Sequence, residues 1–244
     1  SAYTRVRQSQ WGDRMLQRVF GLLGAADWAA LAYFLAGWIA YGYWADRGPG
    51  AARSLRGITE QHRMQWGAQM VRRENRIVDS ALTGNLMNSV SFYANTTIYI
   101  IAGLIAVAGT LDQLMRFTAD LPFAKQTSKA ILEAKLFLMI AIFVFAYFKF
   151  TWALRQYNFL SILIGGAPPH DSVPDELERH ARKHASLNTL AGDEFNRGIR
   201  AYYFGFAALA WFVSPAIAIG ATLLILAVLY RRDFRSQTLA TLAQ

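Results

Sequence analysis

The chain has 244 residues, 54% of them hydrophobic and 14% aromatic, and only 17% charged, with a formal net charge of +9. That balance is foreign to an ordinary soluble domain. The absence of cysteine excludes disulfides, thiolate metal sites and cysteine nucleophiles, and in so apolar a chain the cationic excess fits anionic lipid headgroups better than nucleic acid, which is not expected as a partner.

Residues 1–23 set Arg5, Arg7, Arg14 and Arg18 among Trp11, Leu16, Val19 and Phe20, and resemble a basic amphipathic segment at a membrane surface. Residues 24–236 form the main domain, and 237–244 a C-terminal tail. No Asp, Glu, Lys or Arg lies between Asp27 and Asp46, between Asp79 and Asp112, or between Arg200 and Arg231, and a further apolar run extends from Ile131 to Leu154. Each is long enough to cross the hydrocarbon layer, which takes about 20 residues. The expected fold is therefore all-α, an integral membrane helical bundle of about four transmembrane helices.

After the first span, ADRGPGAAR reads as a turn, and a helical pattern then continues from about Ser54 into the second apolar run without a strong breaker. Helix two is therefore expected to extend beyond the bilayer, with residues 52–80 outside. Between helices three and four, GGAPPHDSVPDE is a loop and ELERHARKHASLNTL a short extramembrane helix, over 174–192. Pro215 falls inside the fourth apolar run and predicts a kink. The count of Lys and Arg favours the two long loops on the cytoplasmic side of a bacterial inner membrane, with the C-terminal arginines on the other side.

Asn85, Asn88, Asn95, Thr96 and Tyr99 fall within about 100° of arc on helix two. Amides inside a bilayer need neighbouring helices, water or a ligand, so this face is expected to point into the bundle or line a pathway. Arg72, Arg73, Arg76 and Asp79 stand at the boundary with Arg155, Gln156 and Asn158 on helix three and Asn196, Arg197 and Arg200 on helix four. Such residues can form a basic mouth, a lipid-phosphate site, or ordinary headgroup anchors. His180 and His184 share a helix face at i and i+4, but Ala, Arg and Lys between them disfavour a metal, and a solvated face is the better reading. No phosphate loop, serine elbow or paired intramembrane carboxylate is present, so neither catalysis, metal nor cofactor is expected.

The segments DWAALAYFLAGWIAYGYWADR, RRENRIVDSALTGNLMNSVSFYANTTI, FKFTWALRQYNF and FNRGIRAYYF resemble the family catalogued as domain of unknown function 599, multi-pass membrane proteins of bacteria and plants. The resemblance covers about Asp27 to Ser236. It implies that Arg73, Arg76, Asp79, Asn85, Asn88, Arg155, Gln156, Asn158, Asn196 and Arg200 belong to the family pattern, whereas Asn95 departs from it. The resemblance adds no mechanism. Two functions follow from the residues: a homo-oligomeric channel or transporter, with asparagines along the path and arginines attracting an anion; or an accessory subunit of a larger complex that binds anionic lipid or partner helices.

Overall fold

The computed structural model describes residues 23–113, 115 and 128–244. The basic segment 1–23, apart from Leu23, and most of the connection between the second and third apolar runs lie outside the described residues. The elements are α1 (Ala25–Arg47), a 3-10 turn (Ala51–Arg53), α2 (Leu55–Arg72), α3 (Ile77–Gly109), α4 (Lys129–Gly165), α5 (Pro174–Ala210), α6 (Pro215–Phe234) and a short α7 (Gln237–Leu242). The all-helical bundle expected from the sequence is what the chain forms. The segments Ile77–Gly109, Lys129–Gly165 and Pro215–Leu242 are long and apolar enough to cross a membrane. α1 is less apolar, because three tryptophans and three tyrosines dilute its charge-free stretch.

Three connections differ from the sequence reading. Helix two is not continuous. Asn75 Oδ1 accepts from the Ile77 amide at 2.9 Å, and Arg76 donates to the carbonyls of Met70, Val71 and Pro168. One side chain thus caps the start of α3 while the next satisfies the end of α2, so the helix breaks with neither Gly nor Pro present. The extramembrane helix before the fourth apolar run is not a separate short element, since α5 runs on through Asp193 to Ala210. That fourth run is no single kinked helix either. Ser214 accepts from the Ile217 amide at 3.1 Å as an N-cap, and Pro215 takes the first helical position, where its missing N–H costs nothing. The run is therefore a hairpin of the end of α5 and all of α6.

α5 is the central helix: α4 and α6 pack on it, α3 packs on α4 and reaches α5 through Tyr93 and Thr97, α1 packs on α6, and α2 on the N-terminal half of α5. The α4–α5 contact is dry and close. Phe150, Ala146, Ala153, Ala201 and Phe204 are fully buried, and a Cβ on Gly198 would lie 2.4 Å from the Phe150 ring. Small residues of this kind let membrane helices approach and gain dispersion contacts.

Two polar layers bound this core. At one end Trp211 Nε1 donates to Asp27 at 2.8 Å and Lys135 donates to the Trp211 carbonyl at 2.8 Å. At the other, Arg200 and Arg197 meet Asp46, and Tyr41 meets Asp233. Asp27 and Asp46 are separated along α1 by about 28 Å at 1.5 Å per residue, close to the roughly 30 Å of a hydrocarbon layer. The hairpin also reverses one expectation of sidedness. The C-terminal arginines end up on the same side as α2, where His62 Nε2 lies 3.1 Å from the Leu242 carbonyl.

Candidate functional site

Five helices bring their charges to one junction on the α2 side. α1 supplies Asp46, α2 Arg56 and Arg63, α4 Lys149, α5 Asp193, Glu194, Arg197 and Arg200, and α6 Arg232 and Asp233. Arg56 grips Asp193 through both nitrogens, at 2.8 and 2.6 Å, and this pairing holds its pKa above the ordinary arginine value. Arg200 reaches Asp46 at 2.6 Å and Arg197 reaches the other oxygen at 3.0 Å; Arg197 also meets Glu194 at 2.5 Å, and Lys149 meets Glu194 at 2.8 Å. Asp233 accepts from Tyr41 at 2.8 Å and from Arg232 at 2.7 Å. Charged groups taken from water are tolerated when so interlocked.

The network does not balance: with Glu60, 3.6 Å from Arg56, six cations face five carboxylates. Arg63 carries the unspent donor. Its Nη1 is buried without a hydrogen-bond partner among the described residues, and its guanidinium lies so close to Gly192 that a Cβ there would be 2.2 Å from Nη2. A cavity of about 190 Å³ opens at this point, lined by Arg56, Thr59, Arg63, Asn196, Arg200 and Arg232 together with Asp46, Asp193 and Asp233. Next to it, α1 and α4 stand apart over α5 and leave an apolar crevice of about 500 Å³. Its walls are Leu35, Trp38, Ile39, Gly42 and Tyr43 on one side and Leu138, Ala141, Ile142 and Phe145 on the other, and Asp46, Arg197 and Arg200 close its end. Arg200 and Asp46 line both spaces.

The family described as "Protein of unknown function, DUF599" matches residues 29–238. The chain belongs to it. No curated protein and no solved structure matches this DUF599 chain.

The residues singled out from the sequence are divided by the fold. Arg200 and Asn196 line the cavity. Arg73, Arg76 and Asp79 do not; they build the break between α2 and α3. Asp79 is fully buried and accepts from Trp66 Nε1 at 2.7 Å and Arg73 Nη1 at 2.5 Å. On α4, Gln156 is buried with its Oε1 unpartnered among the described residues, whereas Arg155 is exposed over the Phe159 ring and Asn158 is exposed. The expected single mouth is thus not formed.

The polar face of the second apolar run is placed opposite to expectation. Asn85, Asn88, Asn95 and Tyr99 are exposed on the outer side of α3, and Thr96 is half-buried with its hydroxyl bonded to the Phe92 carbonyl. The inward face consists of Asp79, Thr83, Val90, Ala94 and Thr97. Periodicity located the stripe but carried no sign, and the small and branched residues won the contact with α4.

The histidine pair is also not a solvated face. His180 Nε2 lies 2.8 Å from the Leu163 carbonyl, and His184 is fully buried with both ring nitrogens unpartnered among the described residues, its ring edge-on to Trp66. Burial pushes the His184 pKa down to about 4, against the opposing influence of Asp79. Among the described residues no group of three or more His, Asp or Glu is placed to hold a metal.

The junction residues that the sequence reading missed are Asp46, Arg56, Arg63, Lys149, Asp193, Glu194, Arg232 and Asp233. Their signal was an acid beside a base at each end of an apolar run, a pattern that stays invisible until the runs are stacked.

Proposed function

We propose that this protein is a binding protein for an anionic membrane amphiphile, with the acidic headgroup in the charged cavity and the apolar tail in the crevice between α1 and α4. The observation that carries this is the shared wall: Arg200 and Asp46 border a polar space that holds an excess of guanidinium and an apolar space that opens sideways from the bundle. Arg63, Arg200, Arg232 and Asn196 line the polar space and bring donors suited to a phosphate or carboxylate, and charge-assisted bonds of this kind are the strong ones. Side chains hold the ligand and no bond chemistry is assigned to them.

A channel or transporter organised round the asparagine face finds no support in the packing of one chain, because that face points outward and the α4–α5 centre is filled by Phe150 and Phe204. Placing the C-terminal arginines beside the two long loops supports a cytoplasmic location for that whole face in a bacterial inner membrane.

The test is thermal stability in vesicles of zwitterionic lipid with and without an anionic phospholipid, read for the natural protein, Arg63→Gln and Gly42→Leu. A Cβ on Gly42 meets nothing within 4 Å, so leucine there fills the crevice without straining the backbone. Anionic lipid is expected to stabilise the natural protein and to lose most of that effect in both variants. Equal stabilisation of all three would refute the reading.

A further inference from the structure

α3 sits at the edge of the bundle, packed on α4 and touching α5 through the Thr97–Tyr202 hydroxyl bond of 2.7 Å. Its outer face has a repeat finer than simple amphipathicity. Asn85, Asn88, Phe92, Asn95, Tyr99 and Ala102 follow one another at spacings of three, four, three, four and three residues, and Ala81 and Ala106 continue the series at either end with spacings of four. Every one of these positions is exposed. At 100° per residue they share an arc of about 100°, centred opposite the buried stripe of Asp79, Thr83, Val90, Ala94 and Thr97. An alternating three–four spacing is the seam of a left-handed coiled coil, in which each side chain enters a hole on a partner helix.

The polar members of the seam require that partner. Asn95 lies midway between Asp79 and Asp112, at the centre of the charge-free run, and among the described residues no side chain hydrogen-bonds the amides of Asn85, Asn88 or Asn95. Lipid offers nothing to an amide, whereas another asparagine satisfies both its donor and its acceptor. The face is thus its own complement. Two copies inserted in the same direction share a two-fold axis along the membrane normal, so their α3 helices run parallel and in register, and each asparagine meets its counterpart. Small residues flank the seam where a second helix needs space: a Cβ on Gly84 or Gly103 meets nothing within 4 Å.

We propose that the protein dimerises in the membrane through this face of α3, as a parallel coiled coil registered by Asn85, Asn88 and Asn95. Since the asparagines facing each other across the seam specify the pairing, replacing Asn95 weakens the dimer roughly threefold to tenfold, in line with single polar contacts between membrane helices.

The chain has no cysteine, so single cysteines report the seam directly in native membranes. Phe92→Cys, Asn95→Cys and Tyr99→Cys are expected to cross-link on mild oxidation. Leu82→Cys and Ile98→Cys, exposed positions on either shoulder of the seam, are expected to stay monomeric. Adding Asn95→Leu to Tyr99→Cys is expected to slow its cross-linking threefold or more, and native mass spectrometry of the natural protein to show two copies. Cross-linking that is equal at Ile98 and Tyr99, or unchanged by Asn95→Leu, overturns the proposal. So does a ring of three or more copies, a different protein seated on α3, or a monomer alone.

Discussion

His184 offers the sharpest test of the α2–α5 packing. Its ring is fully buried, among the described residues no group accepts from or donates to either nitrogen, and its pKa is lowered from 6.5 to about 4, first by burial. The unfolded chain takes up a proton at this residue as pH falls through 6.5, while the folded chain resists until about pH 4. Folding stability from this group is therefore intact above about pH 7 and declines between pH 6.5 and 4. At pH 5 the unfolded histidine is almost wholly charged and the folded one almost wholly neutral, which amounts to about 2 kcal/mol. In a chain of this size about 2 kcal/mol corresponds to a fall of about 4 to 8 °C in unfolding temperature. His184→Phe retains an aromatic edge against Trp66 and removes the titration. Thermal unfolding in detergent at pH 7.5 and at pH 5 measures both proteins, and the difference between them cancels every other titrating group. If the natural protein and the variant lose the same stability on acidification, the ring is not held as described.

Two further outcomes follow from the packing. Gly198→Ala places a methyl 2.4 Å from the Phe150 ring in a core with no slack, so it should cost about 1 to 3 kcal/mol, measured by thermal unfolding; pairing it with Phe150→Leu should recover part of the loss, and the absence of any recovery would contradict the close α4–α5 contact. A reporter fused after Gln244 should read the cytoplasmic side, together with a protease site placed in the loop at Gly166, because α7 docks on α2.

Charge-free runs made the helices legible, since an apolar stretch of that length has few alternatives to a helix in lipid. The breaks were less so. Asn75 and Arg76 end one helix and begin another through side-chain bonds to backbone groups, and nothing in RRENR announces this as Gly or Pro would. Ser214 and Pro215 did carry a legible signal, an N-cap followed by a first-turn proline, but the unbroken apolar run around them favoured a kink. Arg200 and Asn196 were found because they sit at a span boundary. Arg56, Asp193, Asp46 and Asp233 were not, since pairings such as Arg56 with Asp193 and Arg200 with Asp46 bridge 137 and 154 positions and leave no local spacing to detect.

The asparagine stripe shows a different limit. In water the polar face of a helix marks the outside. In lipid the rule has no fixed sign, because a polar face can meet its own bundle or another protein with equal relief.

α5 is a rod of 37 residues, about 55 Å long at 1.5 Å per residue. Its first half is clasped by α2 outside the apolar layer and its second half lies between α4 and α6 inside it. About two-thirds of the way along, Gly198 rests on the Phe150 ring, and the salt bridges to Asp46 and Glu194 sit about a turn or less from that contact. A stiff rod held part-way along is a lever with a long outer arm and a short inner one: a tilt imposed on the outer arm swings the inner arm the opposite way, and Trp211 at its tip would carry that swing to Asp27 and Lys135 on the far surface.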